Sequence, residues 1–185
     1  MNIIVAITGA SGAIYARQTL EVLAASSEVE RIALILSSSA EDVLRAEGVE
    51  LPQCERVERF ANDNMWSSVA SGSARWDAMI VVPASMGTVG RVAAGVSQTL
   101  IERAADVMLK ERRPLVMVVR ESPYSLVHLR NMTTLTEAGA VIMPASPSFY
   151  FNPSSIDELT MTLVMRVVEM AGVSVSHRSW GESLH

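Results

Sequence analysis

The sequence is poor in cysteine, histidine and aromatic residues, and the first two shortages exclude particular kinds of chemistry. It has one cysteine among 185 residues, Cys54. A single cysteine cannot form an internal disulfide and has no neighbour at a metal-ligand spacing, so we expect a free thiol, a reducing compartment and no metal site. None of the 3 histidines precedes His128. Imidazole chemistry is therefore excluded from the first 127 residues.

Long runs of one residue class are also missing. The net charge is −5 and no long basic run occurs, so we expect no nucleic-acid surface. Apolar stretches such as 80–84 and 115–119 are strand-sized, far below the roughly 20 residues that a membrane span needs. The first residues, MNIIVAIT, form a strand pattern without the segments of a signal peptide. We therefore expect a cytoplasmic protein without a membrane span.

What the chain does contain is apolar surface. Hydrophobic residues make up 49% of the sequence, and 11 of them are methionines, which suit adaptable buried surfaces. A parallel sheet covered on both faces explains this content, and so does an extensive subunit interface. We expect both, and hence a homo-oligomer.

Short β-branched or apolar runs alternate with helical patterns along the whole chain. Strands are predicted at 3–7, 32–36, 78–82, 115–119 and 141–143, and helices from the GASGA turn to about 25 and at 39–47, 86–94, 98–110, 125–138 and 156–171. Residues 48–64 are polar and are predicted to be irregular. Such alternation is typical of an α/β fold with a doubly wound, mostly parallel sheet and helices on both faces. We predict one domain over 1–175 and a tail over 176–185.

Ligands bind such sheets beyond the carboxyl ends of the strands. The first strand ends in the glycine turn 8–13, which suits a phosphate but is also compatible with a plain tight turn. Its spacing is not that of a dinucleotide fingerprint, and Ser37 stands where an acidic residue would hold a ribose. A mononucleotide therefore fits better than NAD. The turn 83–88 carries hydroxyl groups that could face a ligand, although Ser85 could equally be a structural N-cap.

Charged residues cluster between Arg103 and Glu121. Lys110 is the only lysine beside 14 arginines, which suggests a task that a planar guanidinium cannot perform. Arg103 and Lys110 are spaced to share one helix face, and Arg120 and Glu121 end a central strand inside the predicted crevice.

Several segments together resemble the UbiX-type flavin prenyltransferases over nearly the whole length. The resemblance rests on TGASGA at 8–13, LSSSA at 36–40, ASGS at 70–73, PASMGT at 83–88, RAADVMLKERRPLVMVVRESP at 103–123, HLRNM at 128–132, GAVIMPASPSFYFNP at 139–153 and RSW at 178–180. It implies a Rossmann-like fold that binds FMN and needs no metal. It also implies transfer of a dimethylallyl group from dimethylallyl phosphate to flavin N5 and C6. The product would serve a UbiD-type decarboxylase in quinone synthesis or aromatic-acid metabolism, and the enzyme would be a dodecamer with active sites shared between subunits.

The resemblance also assigns roles to residues. The implied FMN contacts are Gly9, Ala10, Ser11, Ser37, Ser85, Met86, Gly87, Thr88 and Arg120. The implied ligands of dimethylallyl phosphate are Tyr150, Arg166 and Lys110, with Arg103 adding positive charge. Glu121 would handle protons at the flavin, and Ser11 and Glu47 complete the implied catalytic set, Glu47 in an altered context. The aromatic residues that line the isoprenyl chain in the family are offset in this sequence, and the resemblance does not decide whether Trp66 replaces them. The choice between dimethylallyl phosphate and the pyrophosphate also stays open.

Two other functions are compatible with an FMN site. One is that of a cysteine-type flavoprotein decarboxylase of the same superfamily. The resemblance implies that its active site uses a histidine in the first half of the chain, and this sequence has none there. A non-catalytic flavin carrier of a decarboxylase would need the FMN turns but not Lys110, Tyr150 and Arg166, which are all present.

Overall fold

The computed structural model describes residues 1–176. Six parallel strands form one sheet, in the order β3-β2-β1-β4-β5-β6. The strands are β1 (Asn2–Ile7), β2 (Arg31–Leu36), β3 (Val57–Phe60), β4 (Ala78–Ala84), β5 (Leu115–Val119) and β6 (Val141–Pro144). The helices are α1 (Ala13–Ala25), α2 (Ser38–Ala46), α3 (Met86–Ala93), α4 (Leu100–Lys110), α5 (Leu126–Glu137) and α6 (Ile156–Met170), with a short 3-10 turn at Ser68–Ala70.

Helices cover both faces of the sheet, as predicted. In β1, Ile3 and Val5 join a buried cluster with α1 and α6, whereas Ile4 and Ala6 join a second cluster with α3 and α4. Successive side chains of a strand point to opposite faces, so each strand supplies both cores. The predicted doubly wound α/β fold is confirmed, and strand order reverses between β1 and β4.

The prediction for residues 48–64 was wrong, because this stretch contains the edge strand β3. Ile32 of β2 pairs with Val57 in parallel register. The strand has only four residues, and the side chains of Glu58 and Arg59 at its centre are exposed, so it lacks the apolar pattern of a buried strand. Glu58 instead forms an ion pair with Arg31 of β2 at 2.9 Å.

Two smaller boundaries also differ from the prediction. Strand β4 does not end at 82 but continues through Pro83 to Ala84, since the carbonyl of Pro83 still accepts a hydrogen bond from Thr8, which directly follows β1. The predicted helix ends at Gly139 and Gly172 are confirmed by positive φ angles of 102° and 90°, which glycine adopts without steric cost. No helix within residues 1–176 is long and apolar enough to cross a membrane.

Candidate functional site

Thr8 ties together the two strand ends that border the crevice at the reversal point. Its N–H and hydroxyl donate to the carbonyl of Pro83 at 3.2 and 2.8 Å. Its hydroxyl oxygen also accepts the N–H of Ser85 at 2.8 Å. These bonds fix the glycine turn after β1 against the hydroxyl-bearing turn after β4. The sequence reasoning missed this role, although a threonine directly after a buried strand was a visible signal.

The glycine turn passes close to the start of α2. A Cβ at Gly9 would lie 2.5 Å from the Cβ of Ser39, which real structures do not tolerate. Gly12 has a φ of 109°, in the region that favours glycine. Both glycines are therefore required by the path of the chain, and Ala10 between them is buried.

The start of α1 is occupied by a carboxylate. Glu47, at the end of α2, accepts the N–H of Gly12 at 2.9 and 3.1 Å and that of Ala13 at 2.7 Å. Burial alone would raise the pKa of Glu47, but hydrogen bonds from Ser11, Gly12 and Ala13 and the charge of Arg120 hold this pKa below its ordinary value. An ionised carboxylate here satisfies the helix terminus and repels a second anion.

Arg120 connects this cluster to the centre of the sheet. Its Nε donates to the carbonyl of Ser11 at 3.3 Å, and its N–H donates to the carbonyl of Ala84 at 3.3 Å. The structure thus brings together Ser11, Glu47 and Arg120, three residues to which the resemblance assigned roles in the site. Glu121 follows directly, half-buried, with its carboxylate accepting the N–H of Ser122 at 3.0 Å.

The start of α3 offers the free helix terminus that α1 lacks. Ser85 is its N-cap, and the Ser85 hydroxyl oxygen accepts the N–H of Thr88 at 3.4 Å. The N–H groups of Met86 and Gly87 have no acceptor within the helix, because they belong to its first turn. The Met86 side chain packs into the core, so this residue presents only its backbone to the crevice. The turn 83–88 is therefore both an N-cap and a donor set.

Ser37 has an orphaned hydroxyl. It follows β2, and its N–H donates to the carbonyl of Ile7 at 2.9 Å. Among the described residues its buried hydroxyl oxygen has no hydrogen-bond partner. A cavity of about 340 Å³ opens beside it, lined also by Asn62 and Thr99. A buried polar group without a partner is costly, and a ligand oxygen in the crevice would satisfy it.

Lys110 lies away from this crevice in the same chain. Helix α4 begins beside Asn62, whose carbonyl accepts the N–H of Leu100 at 2.7 Å. It then runs back along the sheet to Arg113, which donates to the carbonyls of residues 72, 74 and 76 just before β4 begins. Lys110, at the end of the helix, is therefore at the amino edge of the sheet. The crevice lies at the carboxyl edge.

The predicted shared face of Arg103 and Lys110 is confirmed. Arg103 donates to the carbonyl of Ala70 at 3.1 Å and pairs with Asp106 at 2.7 Å. The Lys110 ammonium pairs with Glu111 and lies 2.8 Å from where a Cβ on Gly72 would be. Both cations thus border the segment 70–73, which also belongs to the resemblance.

Arg166 and Tyr150 are exposed rather than enclosed. The Arg166 side chain is 52% exposed and pairs with Glu169 on the same helix. Helix α6 runs from Asp157, which contacts Gln18 of α1, towards the amino edge, and Arg166 lies on its second half. Tyr150 follows β6 on the carboxyl side and is 73% exposed. Trp66 is 99% exposed.

Within residues 1–176 no group of His, Cys, Asp or Glu has a metal-binding arrangement. The tail predicted over 176–185 falls outside the described residues except for Ser176.

A sheet that reverses order between β1 and β4, with a glycine turn and a helix terminus that presents free N–H groups and hydroxyls at that point, defines an α/β protein with a site for a phosphate-bearing ligand. The chain belongs to the Flavoprotein family, whose family model matches residues 1–171. It is 41% identical to the flavin prenyltransferase UbiX of Methanocaldococcus jannaschii over 185 residues, 98% of this chain and 99% of that one.

Solved structures show the same likeness. AnUbiX (PadA1) in complex with FMN and dimethylallyl pyrophosphate is 40% identical, with a TM-score of 0.87, over 97% of this chain and 98% of that one. A dodecameric FMN-dependent UbiX-like decarboxylase from Escherichia coli O157:H7 is 35% identical, with a TM-score of 0.89, over 97% and 99% of the two chains. The resemblance to the UbiX-type family that the sequence suggested is confirmed.

Proposed function

We propose that this protein is a flavin prenyltransferase that joins a dimethylallyl group to N5 and C6 of reduced FMN. The observation that carries the proposal is the identity of 41% to a flavin prenyltransferase over almost the full length of both chains. A match of that extent includes the glycine turn, the turn after β4 and the segment 103–123 together.

The residues at the crevice suit FMN. The N–H groups of Met86 and Gly87 and the hydroxyl of Ser85, which contacts the Thr88 hydroxyl, form a donor set for a phosphate at a helix terminus. The orphaned Ser37 hydroxyl adds a further partner. The close-packed turn at Gly9, Ala10 and Ser11, with Arg120, would then border the rest of the flavin. The fit favours FMN over a dinucleotide, since no carboxylate follows β2.

The second substrate is dimethylallyl phosphate or its pyrophosphate. Breaking its allylic C–O bond develops negative charge on the phosphate, which arginine, lysine and tyrosine donors aimed at it would stabilise. Lys110, Arg103, Tyr150 and Arg166 are the proposed donors. Reduced FMN supplies the electron-rich N5 and C6 atoms that bond to the allyl carbons.

A carboxylate that follows β5 is proposed to handle the proton at the flavin. When C6 is alkylated its proton has to leave, and Glu121 is the proposed acceptor because it ends β5 at the crevice. Glu47 stays ionised, as its lowered pKa requires, and holds Ser11 and the start of α1 in place.

The catalytic set is complete only when subunits assemble. Lys110 lies at the opposite edge of the sheet from Arg120, and a helix of 11 residues spans about 16 Å, so one chain cannot bring them together. The surface offers apolar groups for assembly, including Leu126 at 60%, Val127 at 63%, Phe149 at 71% and Ile156 at 70% exposure. A dodecamer with shared sites, acting in the cytoplasm and supplying prenylated FMN to a UbiD-type decarboxylase, is the proposed assembly and context.

A mass spectrum of the released flavin tests the function. The protein is incubated anaerobically with reduced FMN and either dimethylallyl phosphate or dimethylallyl pyrophosphate. We expect flavin heavier by one isoprene unit with at least one donor, and the comparison identifies the donor. Unmodified FMN with both donors, from protein that still binds FMN, would favour the carrier function instead.

Mixed oligomers test the sharing of sites. Lys110→Ala and Glu121→Gln variants should each be inactive alone, because each lacks one part of every site. Unfolding and reassembling them together should restore a fraction of the activity, since some sites would combine an intact Lys110 with an intact Glu121. No recovery in oligomers proven to be mixed would place both residues in one subunit's site.

A further inference from the structure

Arg91, in the last turn of α3, is connected to the proposed phosphate-binding turn through Thr88. Its Nη2 donates to the Thr88 hydroxyl oxygen at 3.4 Å. Its Nη1 lies 3.3 Å from where a Cβ on Gly87 would be, which places the guanidinium against the first turn of the helix. The side chain is 48% exposed, so it could adopt many other rotamers if nothing held it.

What holds Arg91 is a buried carboxylate. Glu102 of α4 is 1% exposed and pairs with the Arg91 Nε. The other oxygen of Glu102 accepts the N–H groups of Gln98 at 2.9 Å and Thr99 at 3.0 Å. Burial alone would raise the pKa of Glu102, but these hydrogen bonds and the Arg91 charge hold its pKa below the ordinary value. The carboxylate therefore stays ionised and fixes the guanidinium in one direction.

An arginine can only donate hydrogen bonds, and this gives the hydroxyl chain a direction. Thr88 is buried, and while one lone pair of its hydroxyl accepts from Arg91, the Ser85 oxygen 3.1 Å away is the acceptor available to its own proton. The Ser85 oxygen then accepts both this proton and the Thr88 N–H, so that its two lone pairs are filled. The Ser85 proton has to point outwards, towards the crevice, where it can donate to an anion.

We propose that Arg91 is a positioning residue that, through Thr88, orients the Ser85 hydroxyl as a donor to the FMN phosphate and so favours FMN over riboflavin. This inference rests on the proposed function, which places that phosphate at the start of α3. In this proposal Arg91 acts through Thr88 rather than on the flavin itself, and its guanidinium is paired with Glu102. The predicted effect is therefore specific to the phosphate and comparable to the loss of one hydrogen bond.

Affinities for two flavins separate this role from a structural one. The full chain is stripped of flavin, and FMN and riboflavin are titrated with fluorescence detection. Arg91→Met should weaken FMN binding about fivefold and leave riboflavin binding unchanged, the size expected for one uncharged hydrogen bond. Thr88→Val should have a similar effect, and the double variant should be no weaker than Thr88→Val alone, because both act on one chain of bonds.

Controls and contrary outcomes are as follows. Arg31→Met removes an arginine of similar exposure, 51%, whose Glu58 pair lies at the other edge of the sheet, and should change neither affinity. If Arg91→Met does not fold because Glu102 is left unpaired, Arg91→Lys keeps a positive charge beside Glu102. The FMN and riboflavin titrations are then made with Arg91→Lys, alone and combined with Thr88→Val.

Four results would overturn the proposal. Arg91→Met could weaken both flavins equally, or its effect and that of Thr88→Val could multiply, which would mean a purely structural contact. If wild type prefers FMN and Arg91→Met keeps that preference, the role of Arg91 in orienting Ser85 is contradicted, but the phosphate site is not. Equal wild-type affinities for FMN and riboflavin would also contradict the assignment of a phosphate site to the start of α3.

Discussion

Glu47 gives the sharpest test of the electrostatics at the crevice. Glu47→Gln keeps the shape of the side chain but removes the charge that accepts the N–H groups of Gly12 and Ala13. Charge-assisted hydrogen bonds contribute about 1.5–3 kcal/mol in protected sites. Glu47 is exposed, so solvent screening reduces the expected loss to about 1 kcal/mol. For a chain of this size, that corresponds to a Tm lower by about 3 °C.

The pH dependence follows from the lowered pKa of Glu47. A carboxyl with a lower pKa in the folded state contributes stability above its unfolded pKa and loses it as pH falls through the folded value. The difference in Tm between wild type and Glu47→Gln should therefore be complete at about pH 7 and should shrink below the ordinary value of 4.5. Differential scanning calorimetry of flavin-free protein at one concentration measures it, since ligand and oligomer would otherwise shift Tm.

Glu41→Gln is the matched control, because Glu41 lies on the same helix in an exposed pair with Arg59. This variant should change Tm little at any pH. A Glu47→Gln difference that is absent at neutral pH, or that grows in acid, would refute the capping role and the direction of the pKa shift.

Three further substitutions test other parts of the site. Gly9→Ala forces a 2.5 Å contact with Ser39, so it should lower stability by about 1–3 kcal/mol by thermal unfolding, and Ser39→Gly in the same chain should recover most of that loss. Arg166→Ala should leave FMN content near normal and slow prenylation about 100-fold, as loss of one donor to a developing anion does; loss of the bound FMN would contradict it. Lys110→Arg should also lose prenylation with flavin still bound, because a planar fork replaces a compact ammonium; turnover like wild type would refute a special role for the lysine.

Much of the fold could be predicted because its signals are local. Strands such as 115–119 are short, apolar and followed by helical periodicity, and both Gly139 and Gly172 mark helix ends. The edge strand β3 was missed because an exposed strand of four residues has no buried face to leave an apolar pattern. What makes this segment a strand is its pairing with β2, which becomes visible only in the folded structure.

The site was predicted unevenly for the same reason. Residues that directly follow strands, such as Ser11, Ser85 and Arg120, are brought together because parallel strands end at one edge. The position of Glu47 on the start of α1 depends on a contact across 34 residues, from Ala13. The link from Glu102 through Arg91 depends on how two helices pack, which spacing along the chain does not encode.

For the cationic residues, the sequence motif does not reveal at which edge of the sheet each side chain lies. In a doubly wound sheet every helix runs back from the carboxyl edge, so a residue at the end of a helix lies at the amino edge. Lys110 ends α4 and Arg166 lies on the second half of α6, whereas Ser11, Arg120 and Glu121 follow strands. If both groups act on one flavin, they belong to different chains of one assembly. The same topology that builds the FMN crevice therefore makes oligomerisation a condition of the proposed chemistry, and a folded monomer would bind flavin without prenylating it.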